Sequence, residues 1–235
     1  MFARTGTFQR ELICYPSAMS QSPTERTRVK RLAKRALYDE ATVHGILDAQ
    51  PFCTVGYTFG GAPYVTPTMQ WREGNHIYWH GSSASRMLEA CEEADVCVNV
   101  TLYDGMVMAR SAFNHSVNYR SVMAFGKAYK VSDAAEKEQK MKNFVDALYP
   151  GRWDILRPMT KQEFKATMIL GLKLSEVSAK VRNGGPGDDE EDFAFPIWAG
   201  VIPMQVQTGA LVDCPRLPAG LVPPEHVKNF KVGKS

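Results

Sequence analysis

Three segments of β-type sequence follow one another between residues 53 and 80, and they constrain the fold more than any other feature. Residues 53–58 and 64–71 are rich in β-branched and aromatic side chains, and residues 76–80 continue the pattern. The connections between them, FGGAP and REGN, have the composition of tight turns. Strands joined by such short connections pair as an antiparallel meander.

Pro67 lies inside the second of these segments. A proline has no backbone N–H and therefore cannot donate to the hydrogen-bond ladder of a sheet. We expect the strand at Pro67 to lie at an edge, to bulge, or to leave its backbone open to another group.

Helices are predicted before and after the meander. Asp39 and Asp133 are suitable N-caps for two amphipathic helices, the second of which runs to about Tyr149. A third helix follows the meander directly, and Ser82 or Ser83 is its expected cap.

Strand-like sequence occupies most of the remaining chain, with one further short helix over residues 160–167. The strand-like segments are 96–104, 106–112, 119–131 and 168–181. Six or so strands with a few helices predict a mainly β fold with helices (α+β), built as a six-stranded antiparallel barrel with helical covers.

The chain divides into three parts by composition. Residues 1–24 have few apolar side chains and are expected to form a disordered leader, and residues 25–182 hold the barrel. Residues 183–235 begin with an acidic, glycine-rich loop and continue as a proline-rich tail, which is expected to pack on the barrel or on a partner subunit.

Charge and cysteine content exclude several classes of protein. The net charge is +3 with dispersed lysines and arginines, which argues against nucleic acid as a partner, and no apolar run reaches the length of about 18 residues that a membrane helix needs. The five cysteines include no CxxC pair, and Cys53 and Cys97 lie in apolar runs. These features predict a reduced, cytoplasmic protein, although Arg4 and Arg10 leave organellar targeting by residues 1–20 as an alternative.

The segment WHGSSASRM, residues 79–87, combines hydroxyls with an arginine where a helix is expected to begin. Free N–H groups and the helix dipole favour anions at such an end, and the Arg86 guanidinium suits phosphate oxygens. Ser82, Ser83 and Ser85 add hydroxyl donors. The turn is therefore either a phosphate site or an ordinary serine cap with a surface arginine.

Three further features carry alternatives. Arg120 lies within an apolar strand and requires either a ligand or a carboxylate partner. Trp198 is either a core aromatic or a lid over a flat ligand. His76 and His80 share a strand face and His115 could approach them, but the sequence has no Cys/His cluster or HExxH motif, so no metal site is expected.

Several segments together resemble one family. They are PYVTPTMQW, IYWHGSSASRM, SAFNHSVNYRSVMAFGKA, PGRW, SAKVR and DDEEDFAFPIWAGVIP. In this order, over about residues 25–205, the chain is similar to the FMN-binding split-barrel superfamily. It resembles most closely the pyridoxamine 5′-phosphate oxidase-like proteins that group with the nitroimidazole-resistance flavoproteins.

The resemblance implies a homodimer of six-stranded split barrels with FMN in a groove at the dimer interface. By position, the implied cofactor-binding residues are Ser85 and Arg86 at the phosphate; His80, Gly81 and Ser82 beside the ribityl chain and flavin; Pro67, Thr68 and Met69 along the isoalloxazine edge; and Tyr119 and Arg120 near the dimer interface. Trp198 joins this set if it is the lid.

The function implied is that of an FMN-dependent oxidoreductase, with His80 and Tyr119 as catalytic residues. Reducing equivalents would pass through FMN to a small acceptor such as a nitro compound or a quinone. The alternatives are a non-catalytic flavin-binding or storage module, the same barrel carrying haem or a deazaflavin, and oxidation of B6 vitamers. Met87 stands where the vitamin B6 oxidases have a lysine, and their basic substrate-phosphate set is not found toward the C-terminus, which argues against the last alternative.

Overall fold

The computed structural model describes residues 22–231, in which ten strands form one antiparallel sheet. The predicted leader, residues 1–24, therefore lies almost wholly outside the described residues. In chain order the strands are β1 (Ala36–Leu37), β2 (Phe52–Phe59), β3 (Ala62–Glu73), β4 (His76–Ser82), β5 (Asp95–Met108), β6 (Ser116–Lys127), β7 (Tyr129–Lys130), β8 (Thr167–Lys173), β9 (Glu176–Arg182) and β10 (Gly200–Pro203). The helices are α1 (Glu40–Ala49), α2 (Arg86–Cys91), α3 (Ala134–Leu148), α4 (Lys161–Ala166) and α5 (Glu225–Lys228).

The strand order is β1-β9-β6-β5-β2-β3-β4-β8-β7, and β10 pairs with β5. The predicted mainly β fold with helices is confirmed, and β2, β3 and β4 form the expected meander. The count of strands within residues 22–231 is ten instead of six. Part of the difference comes from β1, β7 and β10, which have only two to four residues and lie at the margins of the sheet.

Three strand boundaries differ from those predicted, the first being that residues 119–131, expected as one strand, are divided between β6 and β7. Residues 96–104 and 106–112 were expected as separate strands, but β5 continues from the first into the second and ends at Met108, because a shift of register between Tyr103 and Gly105 absorbs the irregularity. Residues 168–181 were expected to close the sheet as one segment, but they form β8 and β9 on opposite sides of it.

The predicted caps of two helices are confirmed, and the cap of a third is corrected. Asp39 accepts a hydrogen bond from Thr42 N at 2.8 Å, and Asp133 accepts one from Glu136 N at 2.8 Å. Neither Ser82 nor Ser83 caps α2, because Ser82 is still part of β4; the N-cap is Ser85, whose side chain makes no capping bond.

The interior of the barrel holds the main hydrophobic core. Trp79 and Ile77 of β4 are fully buried in it, and Leu88 and Cys91 of α2 close one end. A second cluster lies on the outer face of the sheet, where α3 covers Trp71, Tyr78 and Ile169. The sheet is therefore buried on both faces along β3, β4 and β8, which holds these strands in place.

No helix within residues 22–231 has both the length and the apolar character that a membrane span requires.

Gly105 marks a close approach between β5 and β10. A Cβ atom at this position would lie 2.8 Å from Ile202 O and 3.2 Å from Val201 Cγ1, whereas one at Gly184 would meet nothing within 4 Å. We therefore expect Gly105→Ala to lower the free energy of unfolding by about 1–3 kcal/mol, because the backbone of β10 must move. Gly184→Ala, the matched control, should change it by less than about 0.5 kcal/mol. Urea unfolding measures both, and equal stabilities would contradict the packing described.

Candidate functional site

Strands β3 and β4 pair over only part of their length and then separate. Their pairing ends at Gln70 and Trp79. Beyond this point residues 62–69 of β3 stay paired with β2, while residues 80–82 of β4 stay paired with β8. The edges of residues 67–69 and 80–82 are thereby left facing each other, and we call this region the β3–β4 opening.

Backbone groups on both sides of this opening are directed into it. Gln70 N donates to Pro51 O at 2.7 Å, so the alternation of an antiparallel ladder turns the polar groups of Pro67 and Met69 away from β2. Ser83 N donates to Ala166 O at 2.7 Å, so those of His80 and Ser82 turn away from β8. Pro67 therefore removes no ladder hydrogen bond, and its backbone is open to another group, which is one of the three arrangements expected for it.

The serine-arginine turn lies at the end of β4, beside the opening. The Arg86 guanidinium is 5.3 Å from the ring centroid of Phe59 and 5.0 Å from that of Tyr64, both on the β2–β3 hairpin. None of the ion pairs within residues 22–231 involves Arg86. The cation is thus held across the opening by aromatic faces without a carboxylate to neutralise it.

The serines of this turn have different tasks. Ser82 Oγ accepts a hydrogen bond from Ala84 N at 3.2 Å and so fixes the turn itself. Ser85 Oγ makes no capping bond to α2. Gly81 allows α2 to pack against β4, since a Cβ there would lie 3.1 Å from Leu88 Cδ1.

The backbone and the side chain of His80 lie in different surroundings. Its backbone faces the opening, but its imidazole packs beneath α3 between the rings of Trp71 and Phe144, at centroid distances of 6.0 and 4.6 Å. The Nδ1 atom is buried and has no hydrogen-bond partner within residues 22–231. Burial lowers the pKa of this imidazole below its ordinary value, so the neutral form prevails near neutral pH.

Tyr119 and Arg120 lie on β6, which three strands separate from β4 along the sheet. Arg120 Nε and NH2 donate to the two carboxylate oxygens of Asp104 at 2.9 and 2.8 Å, so of the alternatives expected for Arg120 the carboxylate partner is the one present. Tyr119 stands opposite Tyr103 on the outer face of the sheet. The described chain therefore brings residues 67–69, 80–82, Ser85 and Arg86 together and leaves Tyr119 and Arg120 elsewhere.

Trp198 is not a core residue, since 67% of it is exposed. Its ring lies against the backbone of Gly200 at the start of β10, where a Cβ would be 2.9 Å from it. The chain that leads to it is attached by Asp188, which accepts hydrogen bonds from Arg110 N and NH1 at 2.8 and 2.9 Å.

Comparison with known proteins identifies the family. Residues 39–181 match the sequence profile described as pyridoxamine 5′-phosphate oxidase. The chain belongs to this family. The resemblance stated from the sequence is therefore confirmed.

Three solved structures resemble this member of the pyridoxamine 5′-phosphate oxidase family. The flavocytochrome Anf3 from Azotobacter vinelandii is 49% identical over 91% of this chain and all of its own, with a TM-score of 0.88. The FAD and haem binding protein from Mycobacterium smegmatis is 34% identical over 85% of this chain and 98% of its own, with a TM-score of 0.80. A putative 5-nitroimidazole antibiotic resistance protein from Bacteroides thetaiotaomicron, 20% identical over 62% of this chain and 86% of its own with a TM-score of 0.52, shows the fold alone. A search of curated proteins finds no match.

These neighbours support flavin as the type of cofactor without distinguishing FMN from FAD. Two contributions within this family member escaped the sequence reasoning. Phe59 and Tyr64 hold Arg86, and their aromatic types on either side of the Gly60–Gly61 turn are the signal that would have found them. His76 shares the outer face with His80 as expected, and within residues 22–231 no group of three or more His, Cys, Asp or Glu side chains could hold a metal ion.

The burial of His80 predicts a pH dependence of stability. An unfolded histidine has a pKa of about 6.5, and burial places that of folded His80 below its ordinary value. The unfolded chain therefore takes up the proton first as the pH falls, so His80 reduces the free energy of unfolding below about pH 6.5 and adds no pH dependence above it. Relative to His80→Phe, the wild type should lose stability between about pH 7 and pH 5, with a slope of at most about 1.4 kcal/mol per pH unit.

Chemical unfolding of both proteins at each pH measures this difference. Parallel curves, or an NMR titration of His80 with a midpoint above about 6.5, would contradict the burial described.

Proposed function

We propose that this protein is a flavin- and haem-binding redox protein in which electrons pass between the two groups. The observation that carries the flavin half is the β3–β4 opening, where backbone groups of Met69 and His80 that no neighbouring strand pairs lie beside an arginine without a carboxylate partner. The haem half is supported by the flavocytochrome that is 49% identical and by the FAD and haem binding protein that is 34% identical.

The residues of the opening fit a flavin phosphate and ring. Arg86 and the Ser85 hydroxyl would bind phosphate oxygens, and the aromatic faces of Phe59 and Tyr64 hold the guanidinium ready for a forked contact. The backbone groups of Pro67, Met69 and His80 that face the opening, with the N–H of Ser82, would hydrogen-bond the edge of the ring system. A bound flavin supplies hydride and single-electron transfer, and the protein contributes orientation and electrostatics.

The choice between FMN and FAD depends on what lies beyond this first phosphate. The sequence resemblance implies FMN, whereas the neighbour at 34% identity is named for FAD. Because that neighbour covers 85% of the chain, we propose FAD. Chromatography of the flavin released by heating identifies it directly.

His80 and Tyr119 are proposed to contribute to the flavin site from different parts of the assembly. The His80 backbone lies at the opening, and its neutral ring, fixed between Trp71 and Phe144, holds the end of β4 in position. Tyr119 lies on the outer face of the sheet, so it would reach a flavin only across a dimer interface. Trp198 is exposed and would cover the flavin or the partner subunit in the same assembly.

We propose a homodimer joined through the outer face of β2, β3, β5 and β6. Large apolar side chains are exposed on this face, among them Val65 (71%), Phe52 (54%) and Met123 (41%). Exposed apolar surface of this kind marks an interaction site, and an obligate dimer interface buries more than about 2,000 Å². The proposed partners are therefore a second copy of the chain and a small-molecule substrate.

A charge on this face should separate the subunits. Val65→Glu is expected to give a particle of 26.2 kDa by light scattering at micromolar concentration, whereas the wild type gives twice that mass. Ile155→Glu is the matched control, since Ile155 is also exposed (62%) but lies outside these four strands. A monomeric wild type, or a dimeric Val65→Glu, would refute the interface.

The acceptor beyond the flavin is proposed to be the haem. Direct transfer to a nitro compound is the weaker candidate, because the nitroimidazole-resistance neighbour is only 20% identical. B6-vitamer oxidation is not favoured either, since the position after Arg86 is Met87.

The experiment that tests the proposal is spectroscopic. The purified protein is scanned for flavin and haem absorption, then titrated with NAD(P)H or dithionite without oxygen. Reduction of the flavin followed by that of the haem supports electron transfer, whereas bound flavin that only dithionite reduces favours the storage alternative. A protein that takes up neither added FMN, FAD nor haemin would overturn the proposal.

Arg86 provides the sharpest test of the flavin site. Arg86→Ala removes one forked, charge-assisted pair, which contributes on the order of 1.5–3 kcal/mol, so flavin affinity should fall about ten- to hundredfold. Arg86→Lys should recover only part of this loss because an ammonium cannot form the fork. Stability without flavin should fall by at most about 1 kcal/mol, the size of an exposed cation–π contact.

Riboflavin, which lacks the phosphate, is the control ligand. It should bind wild type and Arg86→Ala about equally in fluorescence titrations. If riboflavin weakens as much as FMN or FAD, Arg86 supports the fold or the ring pocket instead of the phosphate.

A further inference from the structure

We infer that residues 209–222, which we call the tail loop, pack on a second copy of the chain and extend the dimer interface beyond the outer face of β2, β3, β5 and β6. This contact rests on the homodimer of the proposed function. It adds a second surface to that dimer, on a segment that follows the family match at residues 39–181.

Both ends of the tail loop are fixed to the barrel of their own subunit. Before the loop, β10 pairs with β5, and Met204 N donates to Asp104 O at 3.1 Å. After the loop, the Phe230 ring lies 5.2 Å from that of Tyr149 at the end of α3. Thr208 Oγ1 donates to Phe230 O at 3.3 Å and joins the two ends. The loop therefore begins and ends at one closed base.

Between these ends the tail loop is neither paired with its own barrel nor covered by it. Its hydrogen bonds within residues 22–231 are two local turns, from Leu217 N to Cys214 O at 2.9 Å and from Leu221 N to Pro218 O at 3.4 Å. Every residue of the loop is exposed. The subunit that carries the loop therefore provides its base and leaves its side chains without a packing partner.

The exposed side chains of the tail loop are mostly apolar. The large ones are 40–93% exposed, and they are Leu211, Val212, Leu217, Leu221 and Val222. At roughly 30 Å² for each methyl or methylene group, they expose on the order of 400 Å² of apolar surface. The largest apolar patch on a whole monomer is typically about 300–600 Å² and is often functional. An exposed apolar area of this size on so short a segment indicates an interaction surface.

The composition of the tail loop favours an apolar partner surface. Asp213 and Arg216 are its charged residues, so its net charge is zero, and a strongly acidic or basic partner would gain no electrostatic attraction from it. Pro215 and Pro218 fix φ at two positions of the loop. They reduce the conformational entropy that is lost when the loop is ordered against a partner.

The apolar surface of the tail loop is continuous with the face through which the dimer is proposed to form. Ile202 of β10 stands opposite Met106 of β5, which in turn stands opposite Val117 of β6, and all three side chains are exposed. Side chains opposite each other in antiparallel strands have Cβ atoms about 4.5–5.5 Å apart, so the three form one row. This row joins the outer face of the sheet to the chain that leads into the loop.

This continuity selects a second copy of the chain as the partner. A two-fold dimer uses the same patch on both subunits, so a loop at the margin of one face lies beside the face of the other subunit. The outer face of that subunit offers the apolar side chains that the loop requires, among them Phe52 and Val65. Each dimer would then contain two such contacts.

Charges on the tail loop test the contact. Val212 and Val222 are 93% and 74% exposed in the subunit, so a glutamate at either position leaves the fold of the subunit intact. Val212→Glu and Val222→Glu should each raise the dimer dissociation constant at least about a hundredfold, because every dimer contains two loops. Ile155→Glu, the control used for the outer face, should change it less than about fivefold. Sedimentation of a dilution series measures all four proteins.

Cys214 locates the tail loop directly. It is the exposed cysteine within residues 22–231, and it lies two residues from Val212. In a protein that carries Cys14→Ser and Cys97→Ser, a benzophenone attached to Cys214 is photolysed in dimers mixed from isotopically light and heavy chains. We expect cross-linked peptides that join a light chain to a heavy one, with the acceptor residue on β2, β3, β5 or β6.

The outcomes distinguish this contact from the proposed function. A dimer that neither loop charge weakens, or cross-links confined to single chains, overturns the tail-loop contact and leaves the interface of the four strands in place. Loss of flavin from a Val212→Glu protein that stays dimeric assigns the loop to the β3–β4 opening of its own subunit and overturns the contact as well. A monomeric wild type overturns the proposed dimer and the contact together.

Discussion

The separation of β3 from β4 after Gln70 and Trp79 is the constraint on which the rest of the structure depends. Both residues of this last pair are buried, Gln70 against the backbone of α1 and Trp79 in the barrel core. Beyond them β3 follows β2 and β4 follows β8, and α2 fills the end of the barrel with Leu88 against Gly81. Continuous pairing of β3 with β4 would have satisfied the outward backbone groups of Pro67, Met69 and His80 internally. Separation leaves these groups without a strand partner, and an unpaired backbone group must find another one.

The same separation sets the surroundings of Arg86. Arg86 begins α2 on one side and lies against Phe59 and Tyr64 on the other, so aromatic faces and not a carboxylate hold its charge. A carboxylate partner would have consumed the fork that a phosphate needs. Arg120 differs from Arg86 in this respect, because its Nε and NH2 groups already donate to the two carboxylate oxygens of Asp104.

Residues 183–231 run from the barrel to the pocket between the C-terminal segment and α1, β3 and α3. Asp188 pairs with Arg110, β10 adds to β5 beside the shift of register, and the segment ends at α5 with His226 and Phe230 over α1, β3 and α3. Trp71 contributes to the wall of this pocket and also packs on His80.

The sequence by itself determined whatever depends on neighbours along the chain. Asp39 and Asp133 predicted the starts of α1 and α3 because a cap bonds an amide only three residues away. The β-branched and aromatic composition of residues 53–80, interrupted by two turns, predicted the meander. The grouping of Ser85 with Arg86 was visible for the same reason. Only the tertiary structure decided the single course of β5, the division of residues 168–181 between two strands, the contact of Arg86 with Phe59, and the pocket that joins His226 to Gln70. Each of these depends on residues that are distant in sequence and meet only when the sheet closes, and local pattern carries no record of that distance.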